Sequence, residues 1–357
     1  MFYFAVIILI SYLLLNITLK KYIKSCNNSI STEQNNFSII IAAKNEENHI
    51  IKTINSILNQ KYPKDKYEII IVDDNSADNT YNLVYEYSKV HNNLKVIKAT
   101  NKDLPAKKGA LTIGIKEAKF ENILITDADC IAEDEWISSI NKSLTSNVDI
   151  VVGIAPFYKS KSIVSRLAQY ENLKTFIFSH FAISLNIPFT ATARNLCYTK
   201  KIYNKINGYK NTLDVISGDD DLLIREAFKI NATIKGMYFK NSYVYSYPKN
   251  TFKDYLFQKA RHTSTSHHYL FKVKLFLSFW YGINFIPFLL LPLCIFNIKY
   301  LFPFLTVIIC NFLTFLTFHK TLNYGFNLLE ILYLEFLYQV SLVVNYFSSF
   351  FIGKKWK

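Results

Sequence analysis

The stretch Ile123-Leu-Ile-Thr-Asp127-Ala-Asp129-Cys130 places two carboxylates, one residue apart, directly after a run of apolar residues. Such an apolar run predicts a buried strand. At the carboxyl edge of an open parallel sheet, where these folds bind ligands, Asp127 and Asp129 would suit a divalent cation that carries a nucleotide's phosphates. The pair alone is weak evidence, because an Asp-x-Asp in a solvated turn after a strand often occurs by chance.

Apolar residues are concentrated at the two ends of the chain. The protein has 357 residues, half of them hydrophobic, and a mean hydropathy of +0.11. Residues 2–19 are almost wholly apolar, and residues 275–352 are rich in Phe, Leu, Ile and Tyr with few charges. A helix of ~20 apolar residues crosses a bilayer. Both ends are therefore predicted to be membrane segments, and the charged middle is predicted to be a water-soluble domain.

The first apolar segment is predicted to be an uncleaved anchor covering residues 1–24. Its basic residues, Lys20, Lys21 and Lys24, follow the apolar run, and no small-x-small cleavage site is evident. Because positive charge lies on the cytoplasmic side of membrane helices, these lysines place the N-terminus outside and the middle domain in the cytoplasm. The expected location is the cell inner (cytoplasmic) membrane.

A net charge of +14 indicates partners of negative charge. Anionic membrane lipid and a phosphorylated substrate both fit. Nucleic acid is discounted as a partner, because the basic residues are spread out, no nucleic-acid-binding motif is present and the chain is strongly hydrophobic. The five scattered cysteines indicate neither a disulfide framework nor a zinc site.

Strand and helix patterns alternate in the middle of the chain, which predicts an α/β fold with a mainly parallel sheet. Strands are predicted at residues 37–43, 67–72, 94–99 and 122–126, each followed by a helical pattern except the last. In such a sheet the strand ends meet at one edge. The polar residues just past these strands are Asn45, Glu46, Asp73, Asp74, Asp127 and Asp129. Lys107 and Lys108, at the start of a predicted helix, would offset their negative charge.

The order of four motifs resembles that of the family 2 glycosyltransferases of the GT-A fold. The motifs are Ala42-Ala-Lys-Asn-Glu46, Val72-Asp-Asp-Asn-Ser76 with Asp78, Ala106-Lys-Lys-Gly-Ala-Leu111 and Asp127-Ala-Asp129. The resemblance covers residues 37–262. It implies a nucleotide-diphosphate sugar donor, a bound Mg²⁺ or Mn²⁺, and inversion at the anomeric carbon.

The same resemblance implies roles for individual residues. Asn45 and Glu46 would line the nucleotide pocket, and Asp73 would face the base. Lys107 would approach the diphosphate, and Asp127 and Asp129 would hold the ribose and the metal. The family often has a proline where Ala42 or Ala43 stands, so the shape of the first loop is left open.

A second acidic segment, Ser217-Gly-Asp219-Asp220-Asp221-Leu-Leu-Ile-Arg225, resembles the family's Glu-Asp-x-Asp-Leu-x-x-Arg motif, with Gly218 in the glutamate's place. Aligning the two on Leu222 and Arg225 puts Asp219 at the position of the general base. An acceptor hydroxyl must lose its proton as it attacks, and a carboxylate can take it. For Asp221, an acidic first turn that stabilises a helix is an equally good interpretation.

Two further segments resemble parts of the family's acceptor and diphosphate sites. The segment Thr190-Ala-Thr-Ala-Arg194-Asn195-Leu-Cys-Tyr198 resembles the border of the acceptor and donor-sugar pockets; Arg194 could equally form a structural ion pair. The segment Gln258-Lys-Ala-Arg261-His262 resembles the Gln-x-x-Arg-Trp motif of membrane polysaccharide synthases, with histidine in place of tryptophan. Arg261 would neutralise the leaving diphosphate.

After a predicted interfacial helix at residues 263–274, the C-terminal membrane region 275–352 contains about three apolar segments, at residues 275–296, 300–318 and 328–352. Three full crossings would leave Lys354, Lys355 and Lys357 outside, against the positive-inside tendency. One segment is therefore interfacial or re-entrant, and residues 328–352 are the candidate because Glu330, Glu335 and Gln339 interrupt them.

The sequence thus predicts a membrane-anchored, metal-dependent, inverting hexosyl- or N-acetylhexosaminyl-transferase that acts on a lipid-linked or glycan acceptor. A processive polysaccharide synthase is the nearest alternative. The small stacking face of His262 and the few apolar segments favour short products. A catalytically silent membrane scaffold is disfavoured by the presence of Asp129, Asp219 and Arg261.

Overall fold

The protein is built around one large sheet. The computed structural model describes residues 1–213, 215, 218–321 and 324–351. The strands in this part of the chain are β1 (Phe37–Ala43), β2 (Tyr67–Asp73), β3 (Leu94–Lys98), β4 (Asn122–Ile125), β5 (Ile131–Ala132), β6 (Ile150–Val152), β7 (Leu196–Thr199), β8 (Ile234–Gly236) and β9 (Val244–Tyr245).

Seven strands form a sheet in the order β3-β2-β1-β4-β7-β6-β8, and β5 pairs with β9 in a separate two-stranded sheet. Strands β1 to β4 are parallel, as predicted. Strand β7 is antiparallel to both β4 and β6, and β6 is parallel to β8. The α/β class and the mainly parallel sheet are therefore confirmed.

Helices cover both faces of the sheet and extend from it at both ends of the chain. They are α1 (Phe2–Asn28), α2 (Ile50–Leu58), α3 (Thr80–Ser88), α4 (Ala106–Glu117), α5 (Trp136–Ser143), α6 (Ile163–Ser184), α7 (Lys200–Lys205), α8 (Asp221–Lys229), α9 (Phe252–Thr265), α10 (Phe271–Leu290), α11 (Leu301–Phe318) and α12 (Leu328–Phe351). The sheets with α2 to α9 are called the sheet domain below.

Strand β1 shows why the sheet is buried on both faces. All seven of its residues are buried. Ile39 and Ile41 pack with Ile54 of α2 on one face, whereas Ile40 packs with Leu111 of α4 on the other. Side chains alternate between the faces of a strand, so an unbroken apolar run needs helices on both sides.

Four helices are long and apolar enough to cross a membrane: Phe2–Asn28, Phe271–Ile295, Ile298–Phe318 and Leu328–Phe350. Polar contacts set the direction of the first three. Asn16 donates to Thr314 at 2.8 Å and Tyr12 donates to Asn311 at 2.8 Å, so α1 and α11 run in the same direction. The same Tyr12 hydroxyl contacts Asn284 of α10. Helices α10 and α11 run in opposite directions, because Asn284 lies 3.4 Å from Asn311, whereas the later Phe288 packs against the earlier Phe304 with ring centres 5.2 Å apart.

Helix α12 contacts the sheet domain near both of its ends. At its start, Glu330 forms an ion pair with Arg166 of α6 at 2.8 Å. Near its other end, the ring of Phe350 lies 5.3 Å from that of His267, just after α9. Twenty-four helical residues extend about 36 Å. The helix therefore lies along the sheet domain instead of leading away from it. Lys354, Lys355 and Lys357 lie outside the described residues.

The segment 263–274 is not the single interfacial helix that the sequence predicts. It contains the end of α9, a 3₁₀ turn at Ser266–His268 and the start of α10. Tyr269 and Leu270 have extended backbones that interrupt the helix. The Tyr269 hydroxyl donates to Asp221 at 3.0 Å, which holds the break against the start of α8.

Candidate active site

A buried lysine joins the two acidic segments of the sequence. Lys107, in the first turn of α4, places its Nζ 2.7 Å from Asp127 Oδ1 and 2.6 Å from Asp219 Oδ2. Its side chain is 7% exposed. Burial alone would lower the pKa of Lys107, but the carboxylates of Asp127 and Asp219 outweigh burial and raise the pKa well above its usual value. The lysine is therefore a fixed positive charge between two acids.

Asp127 is held in its ionised form by its neighbours. Burial acts to raise the pKa of Asp127, but the attraction of Lys107, followed by Arg194 and Arg261, lowers it below the ordinary value. The carboxylate follows β4, whereas Asp219 precedes α8. Residues ninety-two positions apart in sequence thus meet at the carboxyl edge of the sheet, where the pattern of strand ends predicts a site.

Glycine is required immediately before Asp219. Gly218 has a φ of +85°, a conformation that costs side-chain-bearing residues energy. A Cβ at this position would lie 2.8 Å from Cγ of Leu222, so the contact is also too close. This explains why glycine stands where the family has glutamate. Ser217, which opens the predicted motif, lies outside the described residues.

Asp127 and Asp129 could hold a divalent cation. One ligand atom from each of Asp127, Asp129 and Cys130 lies within 4.8 Å of the others. Burial, followed by the two carboxylates, raises the pKa of the Cys130 thiol well above its usual value, so the sulfur stays protonated and is a poor ligand. Carboxylate oxygens are the ligands that Mg²⁺ and Mn²⁺ prefer. The donor set therefore fits a hard cation.

The first two loops at the strand edge are tied together by hydrogen bonds. The Asn45 side chain, on a backbone with a φ of 56°, accepts from Ala77 N at 2.8 Å. The amide of Glu46 donates to Thr80 Oγ1 at 2.8 Å. Asp73 Oδ2 accepts from Ser76 N at 3.3 Å, whereas its buried Oδ1 has no hydrogen-bond partner among the described residues. A buried acceptor without a donor suits a ligand N–H.

A cavity of about 1560 Å³ runs from the strand edge towards the apolar helices. It is larger than the ~300–1,000 Å³ of a typical small-molecule site. The predicted site residues that line it are Glu46, Lys107, Asp127, Asp129, Arg194, Asp219, Gln258, Arg261 and His262. Asn45, Asp73 and Asn195 are not part of its wall. The structure thus brings most of the predicted residues together around one space.

Arg194 and His262 lie in the middle of this cavity. Arg194 donates to Ser246 Oγ at 2.5 Å, and its guanidinium lies 4.6 Å from the centre of the Phe157 ring. The His262 ring is exposed to the cavity but lies deep within the protein. Burial, with the nearby cations Arg261 and Lys259, lowers the pKa of His262 well below its usual value. The ring is therefore neutral at pH 7.

Asp221 fastens α8 to the end of α9. Its carboxylate accepts hydrogen bonds from Thr190, from Thr265 at 3.0 Å and from Tyr269. Of the two interpretations of Asp221, the structure therefore favours a structural role. Its neighbour Asp220 accepts from Ala193 N at 3.1 Å, and burial, with Asp221 and Asp219 beside it, raises the pKa of Asp220 to about 8.

The prediction that Asn195 contacts the acceptor or the diphosphate is corrected by the structure. Asn195 is fully buried. Its amide donates to Ile154 O at 2.9 Å and Ser242 O at 3.0 Å, and its oxygen accepts from Trp136 Nε1 at 2.9 Å. The hydrogen-bonding groups of its side chain all bind partners in the protein interior. Asn195 therefore holds the backbone next to Arg194 in place.

Two cavity residues were missed by the sequence motifs. Glu171 of α6 forms an ion pair with Lys259 of α9 at 3.0 Å and accepts from Tyr255 at 2.7 Å. Lys259 stands at a variable position of the Gln-x-x-Arg pattern, and α6 carries no motif. No sequence signal singles out Glu171, because α6 also contains Arg166, Gln169, Asn172 and Lys174.

The sheet domain and the position of its candidate site agree with the GT-A fold of glycosyltransferases. Residues 38–206 match the family model described as Glycosyl transferase family 2. The part of the chain that matches this family lies within a sheet domain of the GT-A fold, which is joined to apolar helices at both ends.

Similar proteins agree with this assignment. The chain is 28% identical over 194 residues to the probable glycosyltransferase YdaM of Bacillus subtilis (strain 168). The aligned stretch covers 53% of this chain and 46% of that protein. It is 37% identical over 98 residues to the poly-beta-1,6-N-acetyl-D-glucosamine synthase of Staphylococcus epidermidis. That stretch covers 28% of this chain and 23% of the synthase. The chain thus spans less than half the length of these relatives.

Among solved structures, the mannosyltransferase PcManGT from Pyrobaculum calidifontis, in complex with GDP-Man and Mn²⁺, has a similar fold. The similarity covers 98% of both chains, with a TM-score of 0.57 and 15% sequence identity. At this identity the likeness concerns the fold alone.

Replacing Asn195 tests its structural role. The change Asn195→Ala leaves Ser242 O and Trp136 Nε1 without their Asn195 partner and removes one of the two hydrogen bonds to Ile154 O, so we expect the free energy of unfolding to fall by about 3 kcal/mol. Thermal unfolding in detergent, followed by circular dichroism, measures this loss. The exposed Asn92→Ala is the matched control and should unfold like the wild type. Wild-type stability in Asn195→Ala, combined with a raised KM for the acceptor, would restore the original prediction.

Proposed function

We propose that the protein is an inverting glycosyltransferase that moves a sugar from a nucleotide diphosphate to a lipid-linked or glycan acceptor at the cytoplasmic membrane face. The observation that carries this proposal is the contact of Lys107 with both Asp127 and Asp219 inside one cavity. It places a candidate base, a phosphate-binding cation and a candidate metal ligand within one reaction volume.

The reaction follows from this arrangement. An acceptor hydroxyl attacks C1 of the donor sugar from the face opposite the diphosphate, and a new C–O bond forms. The bond between C1 and the diphosphate oxygen breaks, and the nucleoside diphosphate leaves with the bonding electrons. The hydroxyl proton passes to the Asp219 carboxylate, which acts as general base. Attack from the opposite face inverts the configuration at C1.

Lys107 connects donor binding to the base. Its Nζ lies 2.6 Å from Asp219 Oδ2, so the ammonium competes with an acceptor hydroxyl for this oxygen. A donor diphosphate offers the ammonium stronger charge-assisted hydrogen bonds. We therefore propose that the diphosphate draws Lys107 away and that Asp219 becomes available once the donor is bound.

Asp129 and Asp127 would hold Mg²⁺ or Mn²⁺ beside the donor. When bound, the cation would supply positive charge that offsets the diphosphate. Asp127 would also contact the ribose. The hard oxygen donors of the two carboxylates support this role, as does the Mn²⁺ in the complex of PcManGT.

The remaining donor contacts lie along the same edge. Glu46 lines the cavity, and Asn45 shapes the loop beside it. We propose that Asp73 accepts a hydrogen bond from the base, because its buried Oδ1 has no donor among the described residues. The names of the relatives support hexose or N-acetylhexosamine donors: PcManGT is a complex with GDP-Man, and the staphylococcal protein makes an N-acetylglucosamine polymer.

The cationic middle of the cavity would serve the leaving group and the acceptor. Arg261 and Arg194 face Asp127 closely enough to lower its pKa, so they also lie near the proposed diphosphate position. Gln258 and His262 line the adjoining wall, where an acceptor sugar could pack. A neutral His262 offers a smaller ring than tryptophan, which favours release after one or a few sugars.

A processive synthase is the second candidate, because one relative is a poly-N-acetylglucosamine synthase. The two activities differ in product length at excess donor. Accumulation of high-molecular-weight polymer by the purified protein would make the synthase the better proposal.

We further propose that α1, α10 and α11 cross the membrane and that α12 remains on the side of the sheet domain. Two contacts support this, one near each end of α12: the Glu330–Arg166 ion pair and the ring contact of Phe350 with His267. With the N-terminus outside, this topology leaves the sheet domain and the C-terminal lysines in the cytoplasm. The charge rule is then satisfied.

Replacing Asp219 tests the base. Asp219→Asn keeps the size of the side chain and removes the proton acceptor, so the transfer rate should fall at least about 100-fold. Nucleotide-sugar affinity, measured by calorimetry, should change much less. The exposed Asp103→Asn is a matched loss of one carboxylate and should transfer normally. An equal loss of affinity and rate would make Asp219 a donor-binding residue instead.

Removing the cation tests the metal site. Excess EDTA should abolish transfer, and added Mn²⁺ should restore it. Asp129→Asn should raise the Mn²⁺ concentration needed for half-maximal rate by at least about tenfold, since one of two charged ligands is lost. Circular dichroism should show an unchanged fold. Full turnover in EDTA would contradict the proposal.

Cysteine labelling in intact cells tests the topology. The background is Cys294→Ser, because that native cysteine lies near the turn between α10 and α11. A probe that cannot cross membranes should label Asn297→Cys in this turn, but not Asn92→Cys or Lys357→Cys. Labelling at position 92 would reverse the proposed orientation. Labelling at position 357 as well as at position 297, with position 92 unlabelled, would make α12 a fourth crossing.

A further inference from the structure

The half of the cavity farthest from the strand edge is lined by two apolar helices. On α10 the lining residues include Leu277, Tyr281 and Phe285; on α12 they include Leu342, Val343 and Phe347. The term acceptor groove is used here for the space between these six residues. Both helices are apolar and long enough to lie in a membrane.

The acceptor groove follows α10 beside α6, whose Phe178 stacks on Phe276 and Trp280 with ring centres 5.2 and 4.7 Å apart. The lining residues Lys274, Leu277, Tyr281 and Phe285 recur every three or four positions, so they occupy one face of the helix. Lys274 and Phe285 are eleven residues apart, which corresponds to about 16 Å along the axis. This is about half of the ~30 Å hydrocarbon thickness. Ser278, Asn345 and three tyrosines offer some hydrogen-bonding groups on these walls. The rest of the lining on α10 and α12 is apolar, which suits a hydrocarbon chain better than a sugar chain.

Positive charge is concentrated where the acceptor groove joins the polar part of the cavity. Lys249, Lys259, Arg261 and Lys274 line this junction. Lys259 is paired with Glu171, and Lys274 Nζ donates to His267 O at 2.7 Å, which fixes the ammonium near the turn after α9. The lowered pKa of His262, caused by burial and then by Arg261 and Lys259, reports the same positive potential.

Largely apolar walls, a cationic junction and a carboxylate at the far end define an order of chemical groups. We infer that the acceptor is a membrane lipid with a phosphate-bearing head group and a free hydroxyl, which reaches the site sideways through the acceptor groove. Its hydrocarbon tail lies between α10 and α12, its phosphate at the junction, and its hydroxyl near Asp219. This inference rests on the proposed function and selects the lipid acceptor over a free glycan.

Gly282 offers a way to close the acceptor groove. It lines the cavity, and a Cβ built on it meets no atom closer than Ile286 Cδ1 at 3.8 Å. Gly282→Trp therefore fills the groove without disturbing the helix. Val343→Trp does the same from α12 and serves as a second variant. Phe279 and Val340 are exposed on the same two helices and do not line the cavity, so Phe279→Trp and Val340→Trp are matched controls.

A binding experiment tests the groove without requiring activity. Native mass spectrometry in a neutral detergent counts the dodecyl phosphate molecules bound to the full-length protein. We expect wild type and both controls to retain one more dodecyl phosphate than Gly282→Trp and Val343→Trp. A hundredfold excess of inorganic phosphate should not displace it, because the tail contributes to binding. Equal binding by all five proteins, or displacement by inorganic phosphate, would overturn the inference.

A transfer experiment separates this inference from the proposed function. Purified protein is given radiolabelled nucleotide sugars with vesicles of total bacterial lipid, and the label in the organic-solvent extract is counted. We expect labelled lipid from wild type and controls, and at least tenfold less from both groove variants. Label in water-soluble glycan alone would refute the lipid acceptor but keep the glycosyltransferase. No consumption of any nucleotide sugar by wild type would refute the proposed function, while the binding experiment still judges the groove.

Discussion

The contact of Lys107 with Asp127 and Asp219 is the interaction on which the rest of the site depends. Removing an ammonium from water costs several kcal/mol, and opposite charges with good geometry must offset that cost. Here two carboxylates do so, one from the parallel half of the sheet and one from the segment before α8. The lysine therefore fixes the strand-edge side of the site relative to the segment before α8.

A second set of contacts joins the segment that contains Asp219 to the apolar helices. Asp221 follows Asp219 by two residues and is hydrogen-bonded to Thr265 and Tyr269, between α9 and α10. The proposed base Asp219, the cationic junction and the first turn of α10 are thereby fixed relative to one another. Helix α12 completes the wall, because Lys174 of α6 binds its Glu335 at 2.5 Å. A buried pair of this kind fixes position more than it adds stability.

The sequence predicts the parallel half of the fold well, because β1, β2 and β4 are apolar runs that end in polar residues at a shared edge. It also predicts the edge residues Lys107, Asp127 and Asp219, since family motifs carry them. The prediction for Asn195 is wrong, because its burial depends on Trp136 and Gly153, which are distant in sequence. Glycine is needed at position 153, since a Cβ there would lie 2.2 Å from Asn195 Cγ. The prediction of one helix over residues 263–274 is wrong for a similar reason, because a tertiary contact of Tyr269 interrupts the helix.

The placement of α12 resolves a conflict that the sequence leaves open. Contacts among the apolar helices show that α1 and α11 run in the same direction and that α10 runs opposite to α11, so the chain returns to the sheet domain after α11. Tyr324, just before α12, donates to Asn172 of α6 at 2.6 Å, which confines this return to the domain surface. A helix that starts there and ends beside His267 does not need to cross the bilayer, although its composition would permit it. Its apolar surface is then explained by the acceptor groove that it shares with α10.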